Sequence, residues 1–174
     1  MKYISLFSGI EAATVAWQTL GWEPVAYAEI EPFPKAVLKH HFPNVPDLGD
    51  MTKVNWKEYH HAADVVVGGS PCQAFSIAGL RKALDDPRGQ LMLEYLRACA
   101  EIDPEWIVWE NVPGVLSAEH GRAFQSLLEA VAELWPDGGA AWEKADLHNR
   151  PYEIRPAYES QAIVIEIVKP RRRK

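Results

Sequence analysis

Two residues stand out as reagents. Cys72 lies on a glycine-flanked turn, Gly68-Gly69-Ser70-Pro71-Cys72, and Glu110 closes the apolar run Trp106-Ile107-Val108-Trp109. A thiol on a turn after a strand is open to activation, whereas Cys99, within an apolar helical stretch, is expected to be buried and inert. A carboxyl that ends an apolar strand tends toward a raised pKa, which suits it to donate a proton. Asn111 beside it offers a donor and an acceptor to a heteroaromatic edge. A second group suits a nucleotide-like ligand: Gly9 lets backbone approach closely at a helix start, and Glu29 follows it by twenty residues. At that spacing an acidic side chain meets ribose hydroxyls in dinucleotide-binding folds, although Phe7-Ser8-Gly9-Ile10-Glu11 lacks the full glycine fingerprint.

Positioning these groups requires a scaffold, and strand-like and helix-like segments alternate from the start. Strands are expected at 3–7, 24–28, 64–67, 106–109 and 162–168, and helices at 10–20, 33–41, 90–102 and 122–134. A weaker segment covers 48–54, a long loop runs over 70–88, and 136–156, rich in Pro, Gly and charge, reads as irregular. The pattern predicts an α/β fold with a mostly parallel sheet and crossover helices. In such sheets ligands bind outside the carboxyl ends of the strands. Ser8-Gly9, Glu29, Asp50, Ser70-Pro71-Cys72 and Glu110-Asn111 all fall there.

Bulk properties narrow the class. At 174 residues with 48% hydrophobic and 24% charged residues, the chain is expected to fold as one globular unit. A formal charge of −6 does not suit strong non-specific nucleic-acid binding, so any DNA contact must be local or supplied elsewhere. The basic cluster at 169–174 reads as a solvated tail. No apolar run is long enough to cross a bilayer and no secretory signal opens the chain, so a cytoplasmic location without membrane contact is expected. Two cysteines in different contexts argue against a disulfide framework. His40, His41, His60 and His61 come in adjacent pairs at helix ends or loops, where solvated or capping roles are expected; with no cysteine at metal spacing, no metal site is expected.

Leu6-Phe7-Ser8-Gly9-Ile10-Glu11, Gly69-Ser70-Pro71-Cys72-Gln73-Ala74-Phe75-Ser76 and Glu110-Asn111-Val112, in this order and spacing, closely resemble the C5-cytosine DNA methyltransferases, particularly phage and prophage forms. The resemblance covers residues 2–134 and implies a Rossmann-like class I methyltransferase fold with S-adenosylmethionine as donor. It further implies that Phe7, Ser8, Gly9 and Ile10 line the cofactor, that Glu29 holds the ribose hydroxyls and Ile30 packs on adenine, and that Asp50 bonds the adenine amine with Met51 flanking the ring. Cys72 would be the nucleophile and Glu110 its acid partner, with Pro71, Gln73, Ser76, Asn111 and Val112 forming the pocket for a cytosine flipped out of double-stranded DNA. Glu11 stands where many relatives have glycine.

Beyond residue 134 the resemblance fails. Residues 1–134 read as the cofactor-binding catalytic domain, and 135–174 as a divergent segment with one strand, a basic tail and no target-recognition domain. Three readings stand: a truncated gene, one subunit of a split enzyme that needs a complementing chain, or a non-catalytic S-adenosylmethionine-binding module. Intact catalytic residues favour the first two.

Overall fold

Residues 1–70, 87–112, 127–128, 130–131, 152–156 and 163–168 are described in the computed structural model of the chain. Six strands form one sheet: β1 (Lys2–Leu6), β2 (Glu23–Ala28), β3 (Val65–Gly68), β4 (Trp106–Asn111), β5 (Tyr152–Pro156) and β6 (Ile163–Val168). Their order is β2-β1-β3-β4-β6-β5. The first four are mutually parallel, and β6 runs antiparallel to both β4 and β5. Among the described residues, α1 (Ala12–Trp17), α2 (Pro32–His41) and α3 (Pro87–Ile102) connect the first four strands.

Successive side chains on a strand point to opposite faces, and the register turns that alternation into two cores. Ile4, Val66 and Ile107 are register partners and share one core with Leu6 and Trp109, under Tyr95, Leu96, Cys99 and Ile102 of α3. Tyr3, Val65 and Trp106 are likewise partners and face the other way, meeting Leu38 of α2 and Trp17 of α1. Helices therefore cover both faces, which is why the central strands read as nearly unbroken apolar runs.

Three differences from the sequence expectation have physical causes. Helix α1 begins two residues late, because Glu11 adopts a left-handed conformation (φ 71°, ψ 61°), and it tightens into a 3₁₀ turn over Gln18–Leu20 before Gly21. Strand β4 extends past Trp109 because β6 pairs with it, Glu110 opposite Val164 and Asn111 opposite Ile163. Residues 152–156 form a strand where prolines suggested irregular chain; β5 is the edge strand, where a residue without an N–H is tolerated. Of the helix expected at 122–134, Leu127, Leu128, Ala130 and Val131 are helical, with Leu127 and Val131 buried. Among the described residues, no helix is long and apolar enough to cross a membrane.

Candidate active site

The carboxyl ends of β1 and β2 build the first half of the site. Beyond β1 the backbone turns sharply, with Phe7 at φ 53° and Gly9 at φ 56°. Positive φ in a bulky residue such as Phe7 is costly and persists only where surroundings over-determine it. Ser8 supplies part of that constraint: its hydroxyl donates to the Ser5 carbonyl at 2.9 Å and accepts from the Ala28 N–H at 3.1 Å. Its side chain thus laces β1 to β2.

Glu29 sits where β2 ends and is buried. Its carboxylate accepts from three backbone amides: Gly9 at 2.7 Å through Oε2, and Ile30 and Glu31 at 2.7 and 2.8 Å through Oε1. A carboxylate has about four acceptor positions, so capacity for about one further donor, such as a sugar hydroxyl, remains. A Cβ on Gly9 would meet nothing within 4 Å, so the loop opens onto free space there. Ile10, next to Gly9, and Ile30, next to Glu29, are 59% and 63% exposed, unpacked apolar surface suited to a planar ring.

Asp50 stands apart in role. Its Oδ1 accepts from the Thr52 hydroxyl at 2.7 Å and the Thr52 N–H at 3.1 Å, and Lys53 Nζ lies 3.0 Å from Oδ2. These contacts, the Thr52 hydroxyl foremost, hold its carboxyl below the usual range. Asp50 thereby caps the 3₁₀ turn Met51–Lys53. Met51 points inward, a member of the core under α3, and its carbonyl accepts from Trp56 Nε1 at 3.1 Å.

The second half lies at the ends of β3 and β4. Glu110 Oε2 comes so close to Gly69 that a Cβ there would stand 2.6 Å away. Desolvation raises the Glu110 carboxyl above the ordinary range, as its place after an apolar strand suggested. Ser70, which precedes Pro71-Cys72 in the sequence, is clamped from β4: Trp109 Nε1 donates to its hydroxyl at 3.0 Å and Asn111 Nδ2 to its carbonyl at 2.9 Å. The Asn111 side-chain Oδ1 accepts from the Val112 N–H at 2.9 Å, so both ends of this side-chain amide bond backbone groups. Val112 is exposed. Pro71, Cys72, Gln73 and Ser76 lie outside the described residues.

Sequence reasoning missed the Trp109–Ser70 bond, which a strand-end indole and a loop serine forecast only once the strands are paired. It also missed the role of Glu11. That residue is buried beneath the first loop, accepting from the hydroxyls of Ser5 at 3.0 Å and Thr14 at 2.9 Å; Thr14 in turn bonds the hydroxyls of Tyr3 and Tyr27. Burial pushes the Glu11 carboxyl up to about 7. Cys99 is buried, and desolvation raises its thiol far above the usual range, in line with an inert role.

Comparison with known proteins gives this arrangement a family. Among solved structures, Spodoptera frugiperda DNMT2 aligns with a TM-score of 0.66 at 20% identity, over 99% of this chain and 53% of its own. A TehB-like SAM-dependent methyltransferase from Corynebacterium glutamicum aligns with a TM-score of 0.54 at 14% identity, over 97% and 79%. These likenesses establish the Rossmann-like methyltransferase fold. In sequence, a DNA N-6-adenine-methyltransferase of Escherichia phage P1 is 52% identical over 142 residues, which are 75% of this chain and 19% of that protein. The type II methyltransferase M.AquIA of Picosynechococcus is 35% identical over 140 residues, 76% of this chain and 56% of its own length. The chain therefore spans from about a fifth to just over half of these relatives. Family and fold together imply S-adenosylmethionine as cofactor, and the open Gly9 loop with the partly satisfied Glu29 carboxylate fits such a group. Residues 1–134 match the family of C-5 cytosine-specific DNA methylases, and to that family the chain belongs.

Proposed function

We propose that this chain is the cofactor-binding and catalytic portion of a DNA (cytosine-5-)-methyltransferase acting on a cytosine flipped out of double-stranded DNA. Phe7, Gly9, Glu29 and Ile30 would hold the donor, with Asp50 and Met51 at its adenine end. When bound, S-adenosylmethionine supplies an electrophilic methyl group on its sulfonium.

Cytosine C5 is too poor a nucleophile to take that group unaided. The Cys72 thiolate adds to C6 while Glu110 gives a proton to N3, so the electron pair of the C5–C6 bond becomes available at C5. C5 would take the methyl group, the electron pair of the broken bond staying with the sulfonium sulfur as a neutral thioether. Loss of the C5 proton to solvent water would then expel the thiolate, N3 would return its proton to Glu110, and the aromatic ring would be restored. Flipping is required because these atoms are unreachable within the stack. The observation that carries this reading is the Glu110 carboxyl lying against Gly69, three residues before Cys72 in the sequence, with its pKa raised by desolvation.

A second reading is favoured by the name of the phage P1 relative, which points to adenine N6. An exocyclic amine attacks a methyl donor directly and needs no thiol, so Cys72 would be idle. That name, however, describes a protein of which the match covers 19%.

Mass spectrometry of nucleosides from duplex DNA treated with the chain and S-adenosylmethionine separates the two. 5-Methylcytosine, with a denaturation-resistant adduct on 5-fluorocytosine DNA that Cys72→Ser abolishes, supports the cytosine reading. N6-methyladenine, or transfer that survives Cys72→Ser, overturns it. Cofactor binding without any transfer points to a binding module, or to a split enzyme whose recognition domain resides on a complementing chain.

A further inference from the structure

At the amino ends of β3 and β4, opposite the catalytic ends, two loops bring together groups that sequence spacing had kept apart. One ring nitrogen from each of His60 and His61 and a carboxylate oxygen of Asp103 all lie within 4.8 Å of one another. We infer that His60, His61 and Asp103 form a binding site for a borderline divalent transition-metal ion of the Zn²⁺ type. Two imidazoles and a carboxylate are the donor set such an ion prefers, with its remaining position open to water.

The backbone holds these ligands in place before any ion arrives. His61 and Asp103 both adopt positive φ, 57° and 55°, and the His61 N–H donates to the Ile102 carbonyl at 2.8 Å. His60 Nδ1 lies 2.9 Å from the Glu101 carbonyl. A carbonyl only accepts, so Nδ1 carries the proton and the lone pair is left on Nε2; a carbonyl partner of this kind commonly orients a metal-bound histidine. The two rings lie with centroids 3.9 Å apart, and His61 Nδ1 is 3.8 Å from Asp103 Oδ2. Tetrahedral zinc bonds of about 2.0–2.2 Å require ligand atoms about 3.4 Å apart, so small rotations of two exposed histidines complete the geometry.

The site would clip the entry of β3 to that of β4, neighbours in register at Val65 and Trp106. The histidine pair looked like solvated loop residues because the third ligand follows a whole helix later.

Calorimetric titration of the untagged full chain with ZnCl₂, and with CoCl₂ followed by visible absorption, tests the inference. The expected result is one saturable site with cobalt bands of tetrahedral type. His61→Asn and Asp103→Asn keep a residue type that tolerates positive φ, and each should weaken binding at least about tenfold. Circular dichroism should show both variants folded, with the metal-dependent rise in melting temperature gone. No saturable binding at millimolar Zn²⁺ would overturn the assignment. So would binding that survives both variants, or that is lost instead in a His40→Asn/His41→Asn double variant.

Discussion

Glu110 Oε2 occupies the space that a side chain on Gly69 would need, 2.6 Å from the position of its Cβ. A strand-end carboxyl is thereby seated against Gly69, three residues before Cys72 in the sequence, and glycine is the one residue at position 69 that leaves it there. Gly69→Ala forces the flexible carboxyl aside and presses on the Glu110 carbonyl, 3.3 Å from the same Cβ. Methyl transfer should fall at least about tenfold for a stability cost of about 1–3 kcal/mol. Steady-state kinetics beside a thermal melt checks the split; an unchanged rate would dissociate this contact from catalysis.

The raised pKa of Glu110 predicts the shape of the pH profile. As a proton donor it acts while protonated, so kcat/KM should decline as pH rises through a value above the ordinary carboxylate range. Glu110→Gln cannot give up a proton, and it should lower the rate about 10²- to 10⁴-fold and erase that limb of the profile.

Glu11 sets a pH dependence of stability. Its folded pKa of about 7 lies above the unfolded value of 4.5, so the folded state holds an extra proton between them. Stability is then fully present below about pH 4.5 and declines as pH rises to about 7, by roughly 3 kcal/mol in all. Glu11→Gln, which stays neutral, should flatten that slope and melt above the parent chain at pH 8. Denaturant titrations across the range test it, and parallel slopes for the two proteins would refute the assignment.

Asn111 acts through Ser70. Asn111→Asp keeps the acceptor for Val112 N–H but sets a carboxylate against the Ser70 carbonyl, so it should harm transfer more than Asn111→Ala does. Trp109→Phe leaves the Ser70 hydroxyl without its indole donor and should cost about 1 kcal/mol. Paired measurements of kcat and melting temperature separate positioning from mere loss of stability.

Glu29→Gln replaces one acceptor oxygen by a donor facing N–H groups. With three backbone amides converging on this carboxylate, the substitution should cost about 1–3 kcal/mol of stability and weaken S-adenosylmethionine binding severalfold or more, measurable by calorimetry.

Much of this protein was legible in its residues alone. Alternating apolar strands and helices, the Gly9-to-Glu29 interval and the Pro-Cys-Gln and Glu-Asn-Val stretches are local features, and local features determine element type and which groups stand at strand ends. Tertiary structure decided what those groups touch. Glu110 stays in regular strand because β6 pairs with it, Ser70 is held by an indole and an amide from another strand, and Asp103 reaches His60 and His61 only because β3 and β4 are neighbours. Glu11 becomes a half-neutral acid because the fold buries and desolvates it, against the opposing pull of its hydroxyl partners Ser5 and Thr14. Ser5 and Thr14 are near Glu11 in the chain, but Tyr27, like the β4 partners of Ser70 and the Asp103 beside His60 and His61, is brought in from far along it, so distance and desolvation there are set by the tertiary fold.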